Sequence, residues 1–341
     1  MNPIFALLEP SWLSPDRIPV VFCAFLLAIV VGLVKGPVDG YANPLLWLAI
    51  DKVFGPVGER LDRAHRPRTD LIFRGFLVTA VLVFAALFIF SLVEKQIITM
   101  GYYTVFESIL LSFMLTSGAV WQAVYRLYKA LEGKSATPGA FYAVSRSTRT
   151  NLSIADNYTI TRTAMGMTAR FFDKGLIAPV FWYLIGGLPA AGAYSMLAFM
   201  AWRYGKSGFS SGFGMFSTYF EAFLGLIPGF IAAFLLATAS IFTPTASIFR
   251  SFTAFLGKTG RATLIQGGYP LSVMAWALNV SLGGATQDLS GSAIKALWVG
   301  PAKATAKNDY QHLRRALYIN IAAHMLFVAC LCLIYLWAFK V

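Results

Sequence analysis

Long apolar stretches separated by short polar loops run through the chain. A helix that crosses a bilayer needs about 20 mostly apolar residues, and six stretches meet this requirement: residues 19–34, 71–93, 105–125, 176–201, 222–242 and 316–339. The first stretch lacks the basic leader and the small-residue cleavage pattern of a signal peptide, so we expect it to be retained. The pattern therefore predicts an all-α fold, a polytopic integral membrane helix bundle.

A further apolar segment, residues 264–285, does not fit the pattern of a spanning helix. Basic residues flank it on both sides, and it contains Gly267, Gly268, Pro270 and Asn279. Glycine and proline free backbone polar groups that lipid cannot satisfy. We therefore predict a re-entrant or protein-buried segment here and not a seventh span.

The charges refine this picture. Only 13% of the residues are charged, and 28 basic residues against 15 acidic residues give a net charge of +13. The basic residues lie in short loops, chiefly 52–74 and 126–174, which the positive-inside rule assigns to the cytosol. We expect a multi-pass protein of a bacterial inner (cytoplasmic) membrane with both termini outside the cytosol. The lipid bilayer is then its surroundings, and a nucleic-acid partner is not expected because no polar basic domain is present.

Motifs that carry known chemistry are scarce. The chain has no phosphate-binding loop, no dinucleotide fingerprint and no His-Glu-x-x-His, and we predict no metal site. His324 falls within the last span, where a polar group is either functional or bonded to a neighbouring helix. Asp173 and Glu221 lie at the entrances of spans, where a carboxylate serves as acid, base or magnesium ligand, or complements a helix N-terminus.

Several short strings occur in the order of a known family's motifs. They are AVSR at 143–146, APVFW at 178–182, GGLPAAGAY at 186–194 and GYP at 268–270. Together they resemble the CobD/CbiB family, the membrane-bound adenosylcobinamide-phosphate synthases of cobalamin biosynthesis. The resemblance implies a CobD/CbiB-like membrane domain at 41–341, which includes the cytosolic segment 126–174, and makes 1–40 an additional N-terminal span.

The resemblance also implies an activity and a site. The family joins adenosylcobyric acid to an aminopropanol (phosphate) through an amide bond, with ATP and magnesium. Where the family commonly has E-N-x-x-D-G before APVFW, this chain has RFFDKG at 170–175, so Arg170 and Lys174 replace two acids. Glycine, proline and aromatic positions are kept while charged positions are lost. This pattern favours a pseudoenzyme that needs no cofactor and acts as a subunit or assembly factor, with a membrane protein or a second copy as partner.

The alternative is that ligation survives with a rearranged site. In that case the reaction needs ATP and magnesium, Glu221 and Asp173 are the catalytic candidates, and Gln266, Asn279 and Lys174 are the cofactor-binding candidates, with no residue assigned as a metal ligand. Whether the protein is an enzyme stays open at this point. Transport has little support, because charges within the spans are nearly absent.

Overall fold

The computed structural model describes residues 17–63, 66–99, 102–133, 137–205, 212–257, 259–289, 291–294 and 296–338. Within these ranges five helices are long and apolar enough to cross a membrane, and a sixth span results if one bent helix pair is counted as a single crossing. The all-α polytopic bundle is thereby confirmed. The first sixteen residues of the expected N-terminal segment lie outside the described ranges.

Thirteen α-helices carry the described fold. They are α1 (Arg17–Lys35), α2 (Leu45–Leu61), α3 (Arg68–Ile98), α4 (Tyr103–Met114), α5 (Gly118–Glu132), α6 (Pro138–Thr148), α7 (Asn157–Phe172), α8 (Ala178–Tyr204), α9 (Met215–Leu224), α10 (Leu226–Ala239), α11 (Ile248–Leu256), α12 (Gly268–Leu278) and α13 (Tyr310–Ala338). A π-turn, Asp173–Ile177, joins α7 to α8, and α9 meets α10 at an angle of 60°.

Helix α8 reverses direction at two glycines. Gly186 and Gly187 have non-helical dihedral angles, and Gly187 lies at φ 66° and ψ −159°, a conformation that is essentially restricted to glycine. The rings of Trp182 and Tyr194 are 6.4 Å apart, whereas a straight helix would separate these positions by about 18 Å along its axis. The structure thus has a helical hairpin where the apolar pattern predicts a single crossing over 176–201.

Glycines also allow the helices to approach closely. Helix α1 crosses α5 at Gly32 and Gly118, where an added Cβ on Gly32 would collide with the backbone nitrogen of Ala119. Lipid supplies no hydrophobic force between helices, so spans associate through such close contacts of small residues. This contact fixes α1 against the bundle.

The segment 264–285 is buried inside the protein, as expected. A short 3₁₀ turn (Leu264–Gln266) precedes α12, most of whose residues are buried. With eleven residues, α12 is too short to cross a bilayer. Two short antiparallel pairs follow, β1 (Leu282–Gly283) with β4 (Trp298–Val299) and β2 (Thr286–Gln287) with β3 (Ala293–Ile294).

Candidate functional site

A cavity of ≈ 170 Å³ lies between α2, α7, the second half of α8 and α9. The loops that follow α6 and precede α12 complete its wall. Its wall combines aromatic side chains with an unusual share of basic ones. The charged residues of the wall are Arg149, Arg170, Lys174, Arg203, Glu221 and Asp288. Four of them are cations and two are anions, so the wall itself carries an excess of positive charge.

A buried ion pair forms one side of the cavity. The Lys174 ammonium donates to Glu221 Oε1, and Tyr194 Oη donates to the same oxygen at 2.7 Å. Asp173 Oδ2 lies 3.8 Å from Lys174 Nζ. The carboxylate of Glu221 is therefore neutralised by groups of this chain.

Local backbone features place this cluster. Asp173 and Lys174 begin the π-turn, which frees the carbonyl of Gly175 to accept a hydrogen bond from the Thr116 backbone N–H at 2.8 Å. Such π-turns are frequent at functional sites. Across the cluster, α9 ends at Gly225, where a Cβ would lie only 2.8 Å from Lys174 Nζ. The bend at Gly225 therefore leaves room for the ammonium.

Two arginines of the wall form no salt bridge with a carboxylate of the described chain. Arg170 Nε is buried without a hydrogen-bond partner among the described residues. Arg149 ends α6 in the left-handed region at φ 54°, and its guanidinium lies 5.7 Å from the Trp202 ring centre. Burial lowers the pKa of Arg149 below the ordinary arginine value, which still leaves it charged at neutral pH.

The third arginine of the wall is satisfied by acids. Arg203 Nε donates to Asp51 Oδ1 at 2.7 Å, and its Nη2 pairs with Glu59 on the same helix, α2. This double pair ties the end of α8 to α2. Arg203 therefore lines the cavity with its charge balanced by Asp51 and Glu59.

Aromatic rings complete the wall. The rings of Trp47 and Trp202 are 5.8 Å apart, and Trp202 Nε1 donates to the Ser147 carbonyl at 2.7 Å. Trp47 is 3% exposed, and its Nε1 has no hydrogen-bond partner in the described chain. The cavity wall thus combines flat aromatic surface with an indole N–H, that of Trp47, which has no acceptor in the described chain.

Four of the five residues singled out in the sequence meet here. Glu221, Asp173 and Lys174 form one cluster, and Gln266 lines the same cavity with its amide bound to Leu297 N and O at 3.2 and 2.6 Å. Asn279 does not join them. It is exposed and ends α12 at φ 56°, a left-handed cap position that asparagine tolerates better than most residues.

Trp47, Arg149 and Arg203 also belong to the site, although the sequence did not single them out. They lie more than 50 residues apart from one another, outside the quoted motifs. Arg170 was visible only as a reversed charge in the family pattern. This charge reversal was the only sequence signal for Arg170: a guanidinium stands where the family motif has a carboxylate, next to glycine, proline and aromatic positions that match the motif.

A magnesium ion does not fit this cluster. Among the described residues, no three His, Cys, Asp or Glu side chains gather in a way that could hold a metal. The ammonium of Lys174 lies next to both Asp173 and Glu221, at the place where a cation bridging these two carboxylates would be needed. Of the carboxylate oxygens that magnesium prefers, Glu221 Oε1 and Asp173 Oδ2 therefore face a lysine, while Asp173 Oδ1 has no hydrogen-bond partner among the described residues.

Two other polar groups of the spans have structural partners. His324 Nδ1 donates to the Asn320 carbonyl at 2.7 Å, and Nε2 lies 3.1 Å from Ser117 Oγ at the start of α5. The imidazole packs against the rings of Phe25 and Phe172. The alternative in which His324 bonds to a neighbouring helix is the one the structure supports.

The chain is similar to one family of proteins over most of its length. A family model described as "CobD/Cbib protein" matches residues 25–320. The chain is similar to the cobalamin biosynthesis protein CobD of a Sinorhizobium species, with 24% identity over 83% of this chain and 89% of the relative. It is also similar to the protein of that name from Brucella suis biovar 1, with 26% identity over 72% of this chain and 77% of the relative. The protein of that name from Clostridium acetobutylicum is 23% identical over 89% of this chain and 95% of the relative. No solved structure gives a significant match.

Proposed function

The chain belongs to the CobD/CbiB family, and from this premise we propose that it is a non-catalytic member that acts as a subunit or accessory factor in a bacterial cytoplasmic membrane. The observation that carries the proposal is the position of the two reversed charges. Arg170 and Lys174, which stand where the family resemblance implies acids, line one cavity together with Glu221. The altered residues are thus neighbours in space.

The electrostatics of the cavity support this proposal. Two unit charges 4 Å apart interact by about 4 kcal/mol at an effective dielectric constant near 20, so a fixed ammonium beside Glu221 strongly disfavours a divalent cation there. Glu221 would have to give up both Lys174 and Tyr194 to bind a metal. Phosphoryl chemistry with ATP depends on metal ions that neutralise the transferring group, and both carboxylates of the Lys174 cluster already face an ammonium, with only Asp173 Oδ1 lacking a hydrogen-bond partner in the described chain.

The second candidate function is amide-bond formation in cobalamin biosynthesis. It is favoured by one observation, namely that Glu221 and Gln266 line the same cavity and Asp173 lies beside Lys174 of its wall, although these positions span almost a hundred residues. The relatives named above carry the name of a cobalamin biosynthesis protein. In this candidate Lys174 would hold the nucleotide phosphates, and Glu221 would act as the acid or base.

Genetic complementation separates the two candidates. A bacterial strain that lacks its own CobD is supplied with this chain or with the Brucella suis relative and is grown under conditions that require cobalamin synthesis. We expect growth with the relative and none with this chain at equal membrane abundance. Growth with this chain that is lost on Glu221→Gln would contradict the proposal.

The accessory role is tested by isolation from native membranes. A tagged copy expressed at its natural level should bring down a second membrane protein, or a second copy of itself, in a fixed ratio. Recovery of a monomer alone, in a detergent that keeps other membrane complexes intact, would count against an accessory role. Reporter fusions at each end test the further proposal that both termini lie outside the cytosol.

A further inference from the structure

The part of the chain that contains α9, α10, α11 and α12 begins and ends at the same place in the structure. Trp202 Nε1 donates to the Ser147 carbonyl at 2.7 Å, and the Asn151 backbone N–H donates to the Gln287 carbonyl at 2.8 Å. Ser147 and Asn151 are near neighbours in the segment 126–174. The chain therefore leaves this side of the bundle after α8 and returns to it after α12.

None of these four helices is long enough to cross a bilayer alone. The longest, α10, has 14 residues and extends about 21 Å, whereas the hydrocarbon core is about 30 Å thick. Only α9 and α10 taken together have the length and apolarity of a span, and they meet at an angle of 60°. The direction of α10 decides whether this pair crosses.

Helix α12 runs back along α7, away from the hairpin of α8. Its N-cap, Gly267, lies against Arg170 near the end of α7, where a Cβ would come within 3.0 Å of Arg170 Nε. One turn later Leu271 lies against Gly166, because a Cβ on Gly166 would meet the leucine side chain at 3.5 Å. Since α7 leads into the hairpin, α12 points toward the start of α7.

Helix α10 runs in the same direction as α12. The rings of Phe230 and Tyr269 are 5.8 Å apart near the starts of the two helices. Ser247, which follows α10, donates its backbone N–H to the Ala277 carbonyl near the end of α12 at 3.1 Å. Helix α10 thus leads back toward the start of α7. The hairpin of α8 has already returned the chain to this side, so no crossing by α9 and α10 is needed before α13.

One face of α11 is apolar and uncovered. Phe249 and Leu256 are 83% and 85% exposed, and Phe252 lies on the same face, three residues after the first and four before the second. The Phe252 ring packs on Phe234 of α10 at 6.0 Å, and Phe234 is itself exposed. The apolar surface therefore continues from α11 onto α10, and a surface of this kind contacts a membrane or another protein.

The charges beside this face favour lipid. Residues 222–287 contain no acid, whereas Arg250, Lys258 and Arg261 are basic. The Arg261 guanidinium lies 4.6 Å from the Tyr269 ring centre, a pairing of basic and aromatic groups that suits the membrane interface. A helix with one apolar face and basic residues beside it is typical of helices that lie in the plane of that interface, and the anionic cytosolic leaflet attracts such charges.

We propose that α9, α10 and α11 enter the cytosolic leaflet without crossing the membrane, and that Phe249, Phe252 and Leu256 of α11 insert among the acyl chains of that leaflet. The loop between α10 and α11 then stays on the same side as the segment 126–174. The inference takes its side from the orientation proposed above for the basic loops, and it applies to a catalytic chain as well as to a non-catalytic one.

Thiol labelling of the full-length protein in spheroplasts tests the path of the chain. The native cysteines are first replaced by alanine, and they are Cys23, Cys330 and Cys332. Single cysteines are then placed at exposed positions, Thr245→Cys between α10 and α11, Ser153→Cys in the segment 126–174 and Thr99→Cys at the end of α3. A membrane-impermeant maleimide is added before or after permeabilisation. We expect Thr245→Cys and Ser153→Cys to react only after permeabilisation, and Thr99→Cys to react before it.

The labelling outcomes separate the re-entry from the orientation. Reaction of Thr245→Cys before permeabilisation, together with Thr99→Cys, would overturn the proposal, because α9 and α10 would then cross. Thr259→Cys, an exposed position beyond α11, gives the same test independently of the strained Thr245 backbone, which lies at φ 68°. Reaction of Thr245→Cys and Ser153→Cys before permeabilisation, without Thr99→Cys, would support the re-entry and overturn only the assigned side.

Nitroxide labels on α11 test the contact with lipid. The purified protein, in vesicles of phosphatidylethanolamine and phosphatidylglycerol, carries a label at Phe249→Cys or Leu256→Cys, and its collision rates with oxygen and with a water-soluble nickel complex are measured. Phe84→Cys on the exposed side of α3 is the lipid reference, and Ser153→Cys is the water reference. We expect the α11 labels to collide with oxygen in preference to nickel, as at Phe84→Cys. Nickel collision rates equal to those at Ser153→Cys would overturn the insertion, and low rates with both reagents would overturn it by showing that protein covers the face.

Discussion

Replacing Lys174 alone should destabilise the protein far more than replacing Lys174, Glu221 and Asp173 together. The side chains of Lys174 and Glu221 are 18% and 8% exposed, and that of Asp173, 3.8 Å from the ammonium, is 4% exposed. Lys174→Met therefore leaves two buried carboxylates without their cation, and breaking a buried pair in this way costs about 3–5 kcal/mol. In the triple variant Lys174→Met, Glu221→Leu and Asp173→Asn no charge of this cluster is stranded, and we expect a loss within about 1–2 kcal/mol of the unaltered protein, because Tyr194 Oη loses its acceptor Glu221.

The assay is thermal unfolding of the purified protein in one detergent, with fluorescence and light scattering recorded together. At about 2–4 °C per kcal/mol for a large domain, Lys174→Met should lower the midpoint by about 6 °C or more, and the triple variant should recover most of that loss. Equal midpoints for the single and triple variants would refute the argument that the cluster is electrostatically matched.

The chain offers a matched surface control. Glu132 accepts hydrogen bonds from Tyr128 Oη at 2.7 Å and Lys129 Nζ at 2.9 Å, the same combination of residues as at Glu221. There the lysine and glutamate side chains are 54% and 39% exposed, and exposed ion pairs contribute little. Lys129→Met should leave the midpoint nearly unchanged.

Three further predictions follow from single residues. Asp156 caps α7 through Thr159 N at 2.8 Å, so Asp156→Ala should cost about 0.5–1 kcal/mol. Hydrogen bonding from Thr159 lowers the pKa of Asp156 below its ordinary value of 3.8. The ionised cap therefore stabilises the protein fully above pH 3.8, and this stabilisation is lost as the pH falls through the lowered pKa. Unfolding midpoints measured at several pH values would show the loss. Gly187→Ala should cost about 1–3 kcal/mol and release the hairpin turn from Glu94, which bonds Leu188 N at 3.3 Å. His324→Leu should lower stability by about 1–3 kcal/mol, because the hydrogen bonds of the imidazole to the Asn320 carbonyl and to Ser117 Oγ are lost.

Each of these has its own check. Asp156→Asn keeps a capping oxygen and should retain most of the stability while removing the pH dependence. Gly139→Ala, where an added Cβ meets nothing within 4 Å, should be harmless, and a similar loss there would undermine the argument for Gly187. His324→Gln keeps a side chain that can form hydrogen bonds and should lose less stability than His324→Leu, and an equal loss would contradict the role assigned to those bonds.

The hairpin shows where apolar patterning stops being informative. Hydropathy distinguishes lipid-compatible segments from polar ones, and both arms of the hairpin are apolar, so the run 176–201 resembles one span. Gly186, Gly187 and Pro189 nonetheless carried the signal of a reversal. The same glycine and proline argument, applied to 264–285, correctly predicted a buried segment.

The site was accessible from the sequence only in part. The motif comparison pointed to Asp173, Lys174, Glu221 and Gln266. The structure places Lys174, Glu221 and Gln266 on the wall of one cavity, with Asp173 beside Lys174. Arg149 and Trp47 reach the same cavity through tertiary packing, which no local pattern encodes. Asn279 was selected for its polar side chain. Its left-handed backbone conformation at the end of α12 instead explains why an asparagine occurs at this position.

The most direct measurement of the central claim is amide-bond formation by the purified protein. Adenosylcobyric acid, aminopropanol phosphate, ATP and magnesium are supplied, and the Brucella suis relative serves as the positive control. The arrangement of Lys174 against Glu221 predicts no product from this chain under conditions in which the relative is active. Product that requires both ATP and magnesium, and that disappears in Glu221→Gln, would contradict it.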